Sequence, residues 1–118
     1  MIHNFRDLDV WQKSMKLTSA IYKLTKLFPQ HEVYGLCSQM QRAATSIPSN
    51  IAEGSGRFTD KELSHFLNIA LGSAYELETE LLIACEAQYV APDQCDALRS
   101  QIVEVQKMLY ALIKKYSV

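Results

Sequence analysis

Glycine and proline are scarce in this chain, at 4 and 3 of 118 residues, together about 6% against an ordinary share of roughly 12%. Few turns are available, so the elements between them must be long. Charge of one sign is also lacking. Twelve Lys and Arg against 13 Asp and Glu leave a net charge of -1 and a pI near 6.3, so the whole molecule projects no strong field toward nucleic acid or a membrane. No stretch approaches the roughly 18 unbroken apolar residues that span a bilayer. The start, Met1-Ile2-His3-Asn4-Phe5-Arg6-Asp7, has neither the apolar core nor the cleavage site of a signal peptide, which predicts a cytoplasmic protein. The cysteines are Cys37, Cys85 and Cys95. Their odd number and the absence of C-x-x-C spacing argue against a zinc or redox motif and predict reduced thiols, with Cys37 and Cys85 as small hydrophobes on apolar faces.

What is present is helical periodicity. With 48% apolar and 21% charged residues in 13.4 kDa, residues 1–118 make one domain able to bury roughly two thirds of its unfolded surface. Apolar residues at steps of three and four share one helix face, and four successive segments show this pattern. The first, about 8–28, carries Val10, Ser14, Leu17, Ile21, Leu24 and Phe28, with Asp7 as N-cap and Pro29 as its stop. The second, about 32–54, carries Val33, Cys37, Met40, Ala44, Ile47 and Ile51, bends at Pro48 and breaks at Gly54-Ser55-Gly56. Thr59-Asp60-Lys61-Glu62 is a capping box opening a third helix, about 60–89, with Leu63, Leu67, Ala70, Ala74, Leu77 and Leu81. Pro92 opens a fourth, about 93–116, with Leu98, Ile102, Val105, Leu109, Leu112 and Tyr116. Strand alternation is missing throughout. Short connections between four long helices predict an all-α, antiparallel up-down-up-down four-helix bundle.

A single core leaves one flank unexplained. About 100° from the first stripe lie Trp11, Met15, Thr18 and Tyr22. The third segment repeats this with Leu71, Tyr75, Leu82 and Tyr89, interrupted by Glu78, and the fourth adds Val103 and Tyr110. Two readings are open. The residues widen the core stripe, or they are buried between copies of the chain, since aromatic and Met side chains are enriched at interfaces. The second reading predicts a homo-oligomer.

Chemistry is sparse. Glu62-Leu63-Ser64-His65 is an E-x-x-H, but a di-iron bundle needs two such motifs and two further inward Glu, and the wheel turns Glu62 and His65 outward. His3 and His31 stand alone, and no Ser has a G-x-S-x-G setting. An all-helical ribonuclease of the HEPN type needs R-x(4 to 6)-H, whereas Arg57 and His65 are separated by seven residues. Gly54-Ser55-Gly56-Arg57 reads either as a phosphate cradle or as a glycine helix stop, and Asp60 and Glu62 favour the stop by repelling an anion. The expectation is a non-enzymatic chain without metal or cofactor.

The charge distribution says more than the total. Residues 1–58 hold seven basic and four acidic side chains, residues 59–118 five and nine, giving halves of +3 and -4. Lys16, Lys23 and Lys26 fall within about 80° of one another on the first helix, with Lys13 further round. Glu76 and Glu80 fall on the outer face of the third. A stripe of this kind is ordinarily a solvated helix face, but repeated around a ring it makes a basic belt able to bind a phosphate backbone. No aromatic platform is interleaved with these lysines, so such binding would be sequence-tolerant.

Phe5-Arg6-Asp7-Leu8 with Val10-Trp11-Gln12-Lys13, then Gln41-Arg42-Ala43-Ala44 with Ser46-Ile47-Pro48-Ser49-Asn50-Ile51-Ala52-Glu53-Gly54, resemble the 23S rRNA intervening-sequence protein family of bacterial four-helix bundles. Gly56-Arg57, Phe66-Leu67, Ile69-Ala70, Gly72-Ser73 and Glu76-Leu77 continue the resemblance over nearly the whole chain. Leu71 departs from it, standing where the family commonly has Arg. The resemblance implies a ring, commonly a pentamer, with no known enzymatic activity. It further implies that some relatives are encoded within ribosomal RNA intervening sequences, and that others serve diversity-generating reverse transcriptases, binding nucleic acid and the polymerase through basic rings. Those accessory subunits are strongly basic, so a pI near 6.3 lets a protein partner compete with RNA here. The motif's polar members are Arg42, Ser46, Asn50, Glu53 and Arg57. Either they form a site, or Ser46, Asn50 and Glu53 satisfy a backbone bent at Pro48 while Arg57 pairs with Glu53.

Overall fold

Asn4 Oδ1 accepts the Arg6 amide at 3.1 Å and so caps a 3-10 turn over Phe5–Asp7. The computed structural model describes residues 4–117. Asp7 lies inside this turn, so Leu8, without a side-chain bond, becomes the N-cap of α1, Asp9–Thr25. Asp7 is therefore not the helix cap that sequence spacing suggests. The far end of α1 is shorter than expected because Leu27 N→Leu24 O and Phe28 N→Thr25 O bonds tighten the chain ahead of Pro29.

Glu32 ends a second 3-10 turn, Gln30–Glu32, and its side chain accepts the Leu36 amide at 3.3 Å. Accordingly α2, Leu36–Ser55, begins one turn later than the apolar pattern suggests. Val33 precedes it and is exposed, so it does not belong to the core stripe. Pro48 stays inside α2. It lacks the N–H that would meet Ala44 O four residues back. Thr18 Oγ1 of α1 supplies a replacement donor, 3.0 Å from Ala44 O and 2.8 Å from its own Ser14 O. The proline thus opens a backbone acceptor that joins α2 to α1.

Thr59 caps α3, Asp60–Glu86, by accepting the Glu62 amide at 3.1 Å. The helix stops three residues before the expected Tyr89. Tyr89 N→Ala84 O and Gln88 N→Cys85 O bonds close a Schellman turn, with Gln88 left-handed at φ 64. Pro92 occupies the first turn of α4, Pro92–Tyr116.

The helices enclose one core in a bundle 44 Å long and 24 × 21 Å across. Every core residue expected on the first segment is buried, Phe28 just beyond the end of α1 included, as are Cys37, Met40, Ala44, Ile47 and Ile51 on α2, the whole α3 stripe, and Leu98 through Leu109 on α4. Leu112 and Tyr116, near the end of α4, are half-buried and pack against the edge of the core. The pairs Ser64–Ser117, Ala74–Gln106 and Glu78–Arg99 run in opposite directions along α3 and α4. Helix α1 packs beside α2 and α4 and diagonal to α3, and α2 lies diagonal to α4. The all-α, up-down-up-down bundle is therefore the observed fold.

Where α2 crosses α3 the fit is close. A Cβ on Gly54 would stand 2.8 Å from Phe66 Cβ and 3.3 Å from Leu63 O. Glycine serves there for proximity, because its backbone is ordinary helix.

The cysteines require a correction. Cys85 and Cys95 form a disulfide across the α3–α4 turn, with their Cα atoms 6.3 Å apart, and only Cys37 is a free, buried thiol among the described residues. Antiparallel helices bring together two cysteines whose sequence separation of 10 matches no short motif. The route from reduced thiols to a cytosolic chain therefore fails. What stands is that no helix of the described residues is long and apolar enough to cross a membrane.

Candidate functional site

Helical spacing places Trp11, Met15, Thr18 and Tyr22 on one flank of α1, and the bonds Thr18 to Ala44 O and Tyr22 Oη to Thr45 Oγ1, 3.3 Å, show that this flank borders α2. Trp11 is half-buried, edge-on to Phe5 with ring centroids 5.2 Å apart. Met15 and Tyr22 remain exposed. The α1/α2 side therefore presents two large apolar groups beside a partly sheltered indole.

The α3/α4 side carries the other set. Glu78 accepts from Gln106 Nε2 at 2.8 Å and Arg99 Nε at 3.1 Å, so the α3 flank Leu71, Tyr75, Glu78, Leu82 faces the α4 flank Arg99, Val103, Gln106, Tyr110. The Gln106 bond, then Arg99, holds the Glu78 carboxyl below its usual range. Around this polar centre Leu71, Leu82 and Val103 are half-buried, while Tyr75 and Tyr110 are 52% and 55% exposed. Because α1 is diagonal to α3 and α2 to α4, the two apolar faces lie on opposite sides of the bundle.

Tyr89 belongs to neither face. Beyond the end of α3 its ring meets Phe28 at 5.3 Å between centroids, and its hydroxyl donates to Glu32 Oε2 at 2.8 Å. That bond, with the Leu36 amide, lowers the Glu32 pKa. Sequence periodicity continued through a helix end is what placed Tyr89 with Leu82.

The lysines divide. Lys13 pairs with Glu104 of α4, whereas Lys16, Lys23 and Lys26 are exposed and form no salt bridge among the described residues. Lys13 and Lys16 border the α1/α4 groove with Gln101 and Glu104. The stripe is thus interleaved with acid on its α4 side.

The polar motif residues gather along the α2/α3 seam. Asn50 Nδ2 donates to Ser46 O at 2.8 Å and lies 2.9 Å from Ser46 Oγ, which accepts from Ser73 Oγ of α3 at 2.8 Å. Arg57 meets Glu53 at 3.0 Å and lies 4.7 Å over the Phe66 ring. Asn50 thus bonds the Ser46 carbonyl and Arg57 pairs with Glu53, but the acceptor that Pro48 frees, Ala44 O, is met by Thr18 rather than by Ser46, Asn50 or Glu53, and Arg42 is exposed with no salt bridge among the described residues. The glycine run is no phosphate cradle. Gly56 N and Arg57 N already donate to Glu53 O and Gly54 O.

Glu80 departs from expectation. It is buried, 6% exposed, rather than on the outer face of α3, and its Oε1 has no hydrogen-bond partner among the described residues. Burial pushes its pKa from 4.5 to about 7, Glu76 adds to the rise and Arg42 opposes it. The spacing carried a signal: Glu80 is seven residues, two turns, from the seam residue Ser73. Phe58 and Tyr34, 90% and 97% exposed in the connections flanking α2, escape a search built on helix periodicity. Among the described residues, no three His, Cys, Asp or Glu side chains gather into a metal-holding group.

Fold and surface together define an antiparallel four-helix bundle with two opposed apolar flanks and an internally bonded polar seam along α2. The sequence profile of the 23S rRNA-intervening sequence protein family matches residues 6–111, and the chain belongs to that family. A solved structure from Bacteroides thetaiotaomicron VPI-5482, described as a protein of unknown function from the S23 ribosomal protein family, is 28% identical, with a TM-score of 0.83 over 89% of this chain and 95% of that one. A comparison with curated proteins finds no match.

Proposed function

We propose that this chain is a non-enzymatic scaffold or adaptor that closes with copies of itself into a ring, a pentamer by family resemblance, and offers basic α1 faces to RNA or a nucleoprotein partner. The opposed apolar flanks carry this reading. An isologous dimer uses one patch twice, whereas a ring needs two different patches that meet head to tail. The side with Met15 and Tyr22 and the side with Tyr75 and Tyr110 meet that need, and their Tyr and Met content suits an interface core. Such a contact leaves the lysine side and the α2/α3 seam pointing along the ring's radius. Lys16, Lys23 and Lys26 then recur at regular intervals, as a sequence-tolerant phosphate contact requires.

A second reading, a protein-interaction module without nucleic acid, is favoured by Lys13 being engaged with Glu104 and by a pI near 6.3. Titration of labelled single-stranded and duplex RNA at rising salt separates the two. The RNA reading expects an affinity that falls steeply with salt and is lost when Lys16, Lys23 and Lys26 are changed together to Gln. No binding at low salt removes RNA from the function and leaves the protein module. Binding unchanged by the triple substitution removes the lysine belt.

A further inference from the structure

Glu80 has no role in the proposed assembly, yet a buried carboxylate with an unpartnered oxygen is costly unless protonated or met by a cation. Its surroundings limit the candidates. The Ser46–Ser73 bond fixes the register of α2 against α3. At about 1.5 Å per residue, Arg42, four residues before Ser46, stands about 6 Å up the bundle, between Glu76 at about 4.5 Å and Glu80 at about 10.5 Å. Arg42 is the charged group that α2 brings to Glu80, and Glu76 is the one on its own helix. The Cys37 thiol of α2 is directed to Thr25 O. Helix α4 packs on the other flank of α3, where Arg99 engages Glu78, and α1 lies diagonal.

We propose that Glu80 and Arg42 form a proton-controlled latch across the α2/α3 seam: with Glu80 neutral the Arg42 guanidinium stands free in solvent, and with Glu80 ionised it folds across the seam onto the carboxylate. The structure holds the open state: among the described residues Arg42 is exposed with no salt bridge and Glu80 Oε1 has no hydrogen-bond partner. A guanidinium suits the closure because it stays charged at any relevant pH and bonds a carboxylate through two nitrogens. The latch resides in one protomer, so it stands or falls independently of ring formation and RNA binding.

The direction of its pH dependence follows from linkage. The Glu80 carboxyl titrates higher in the fold than in the unfolded chain, so the folded state binds the extra proton between about pH 4.5 and 7. Stability attributable to this group is greatest below that window and is lost as pH rises through it. Arg42 closure limits the loss.

The test follows Glu80 Cδ and Arg42 Nε by NMR in the full chain from about pH 4 to about pH 9, with Tm recorded at each pH for the wild type, E80Q and R42Q. Both nuclei should move with one midpoint near neutrality in the wild type. The Arg42 Nε movement should vanish in E80Q, and R42Q should raise the Glu80 midpoint and steepen the fall of Tm with pH. Since Gln is isosteric with Glu, E80Q should fold with a flatter Tm profile across this window. An Arg42 Nε signal that does not move with Glu80, or a wild-type profile unchanged in E80Q or R42Q, overturns the latch.

Discussion

Gly54 and Gly72 allow the same substitution to be made in two helices with opposite expected signs. Placing Ala at either site should improve intrinsic helix propensity by about 1 kcal/mol. At Gly72 a new Cβ meets nothing within 4 Å, so Gly72→Ala should keep that gain. At Gly54 the new carbon would lie 2.8 Å from Phe66 Cβ, 3.2 Å from Leu63 Cδ1 and 3.3 Å from the Leu63 carbonyl. Two of those atoms sit on or next to the α3 backbone, so the helices must separate where they cross. Overpacking of this kind costs about 1–3 kcal/mol, which at the least cancels the propensity gain and leaves Gly54→Ala destabilised by up to about 2 kcal/mol. For a domain of this size, about 4 °C of Tm corresponds to 1 kcal/mol. Thermal and urea unfolding should therefore show Gly54→Ala below the wild type by up to several degrees and Gly72→Ala a few degrees above it. A rise for both variants would refute the claim that close approach, rather than helix termination, explains Gly54.

The Thr18 bond is expected to matter because Pro48 leaves Ala44 O without its helical donor: Thr18→Val should lower stability by about 1–3 kcal/mol, and the loss should shrink in a Pro48→Ala background, where the backbone N–H returns. Equal losses in both backgrounds, measured as a double-mutant cycle in urea, would remove this coupling. Breaking the Cys85–Cys95 link should lower Tm by an amount corresponding to about 2–3 kcal/mol, with reductant acting on the wild type and not on a Cys85→Ser/Cys95→Ser variant. Thiol titration of the denatured chain should find Cys37 alone before reduction and all three cysteines after it. Gln88, left-handed at φ 64, should gain about 1 kcal/mol on replacement by Gly; a lower Tm would mean that its side chain makes a compensating contact.

The core was legible from sequence because burial repeats with the helix: Leu17, Ile21, Leu67, Leu77, Ile102 and Leu109 fall where steps of three and four put them. The same arithmetic found both apolar flanks and the Thr59 cap. It failed where a local bond or a tertiary neighbour decides. Asn4 capped a 3-10 turn that took in Asp7, the expected cap of α1, and Glu32 delayed the start of α2 and left Val33 in solvent. The disulfide depends on antiparallel pairing, which spacing motifs do not encode. Glu80 reads as a surface charge because wheel arithmetic assigns a polar residue outward, whereas the neighbouring α2 covers that side of α3. In the α2 motif, composition resembled a site, and the structure shows that Asn50, Ser46 and Ser73 satisfy one another.

Native mass measurement at micromolar concentration most directly tests whether copies of this chain join through opposite faces. The wild type should exceed the 13.4 kDa of one chain by a whole-number multiple that does not grow on concentration, as for a closed ring. Met15→Glu/Tyr22→Glu and Tyr75→Glu/Tyr110→Glu should each shift it to monomer. An equimolar mixture of those two variants keeps one intact contact and should stop at a pair of chains. A wild-type mass of 13.4 kDa, or a mixture that remains monomeric, would contradict the account.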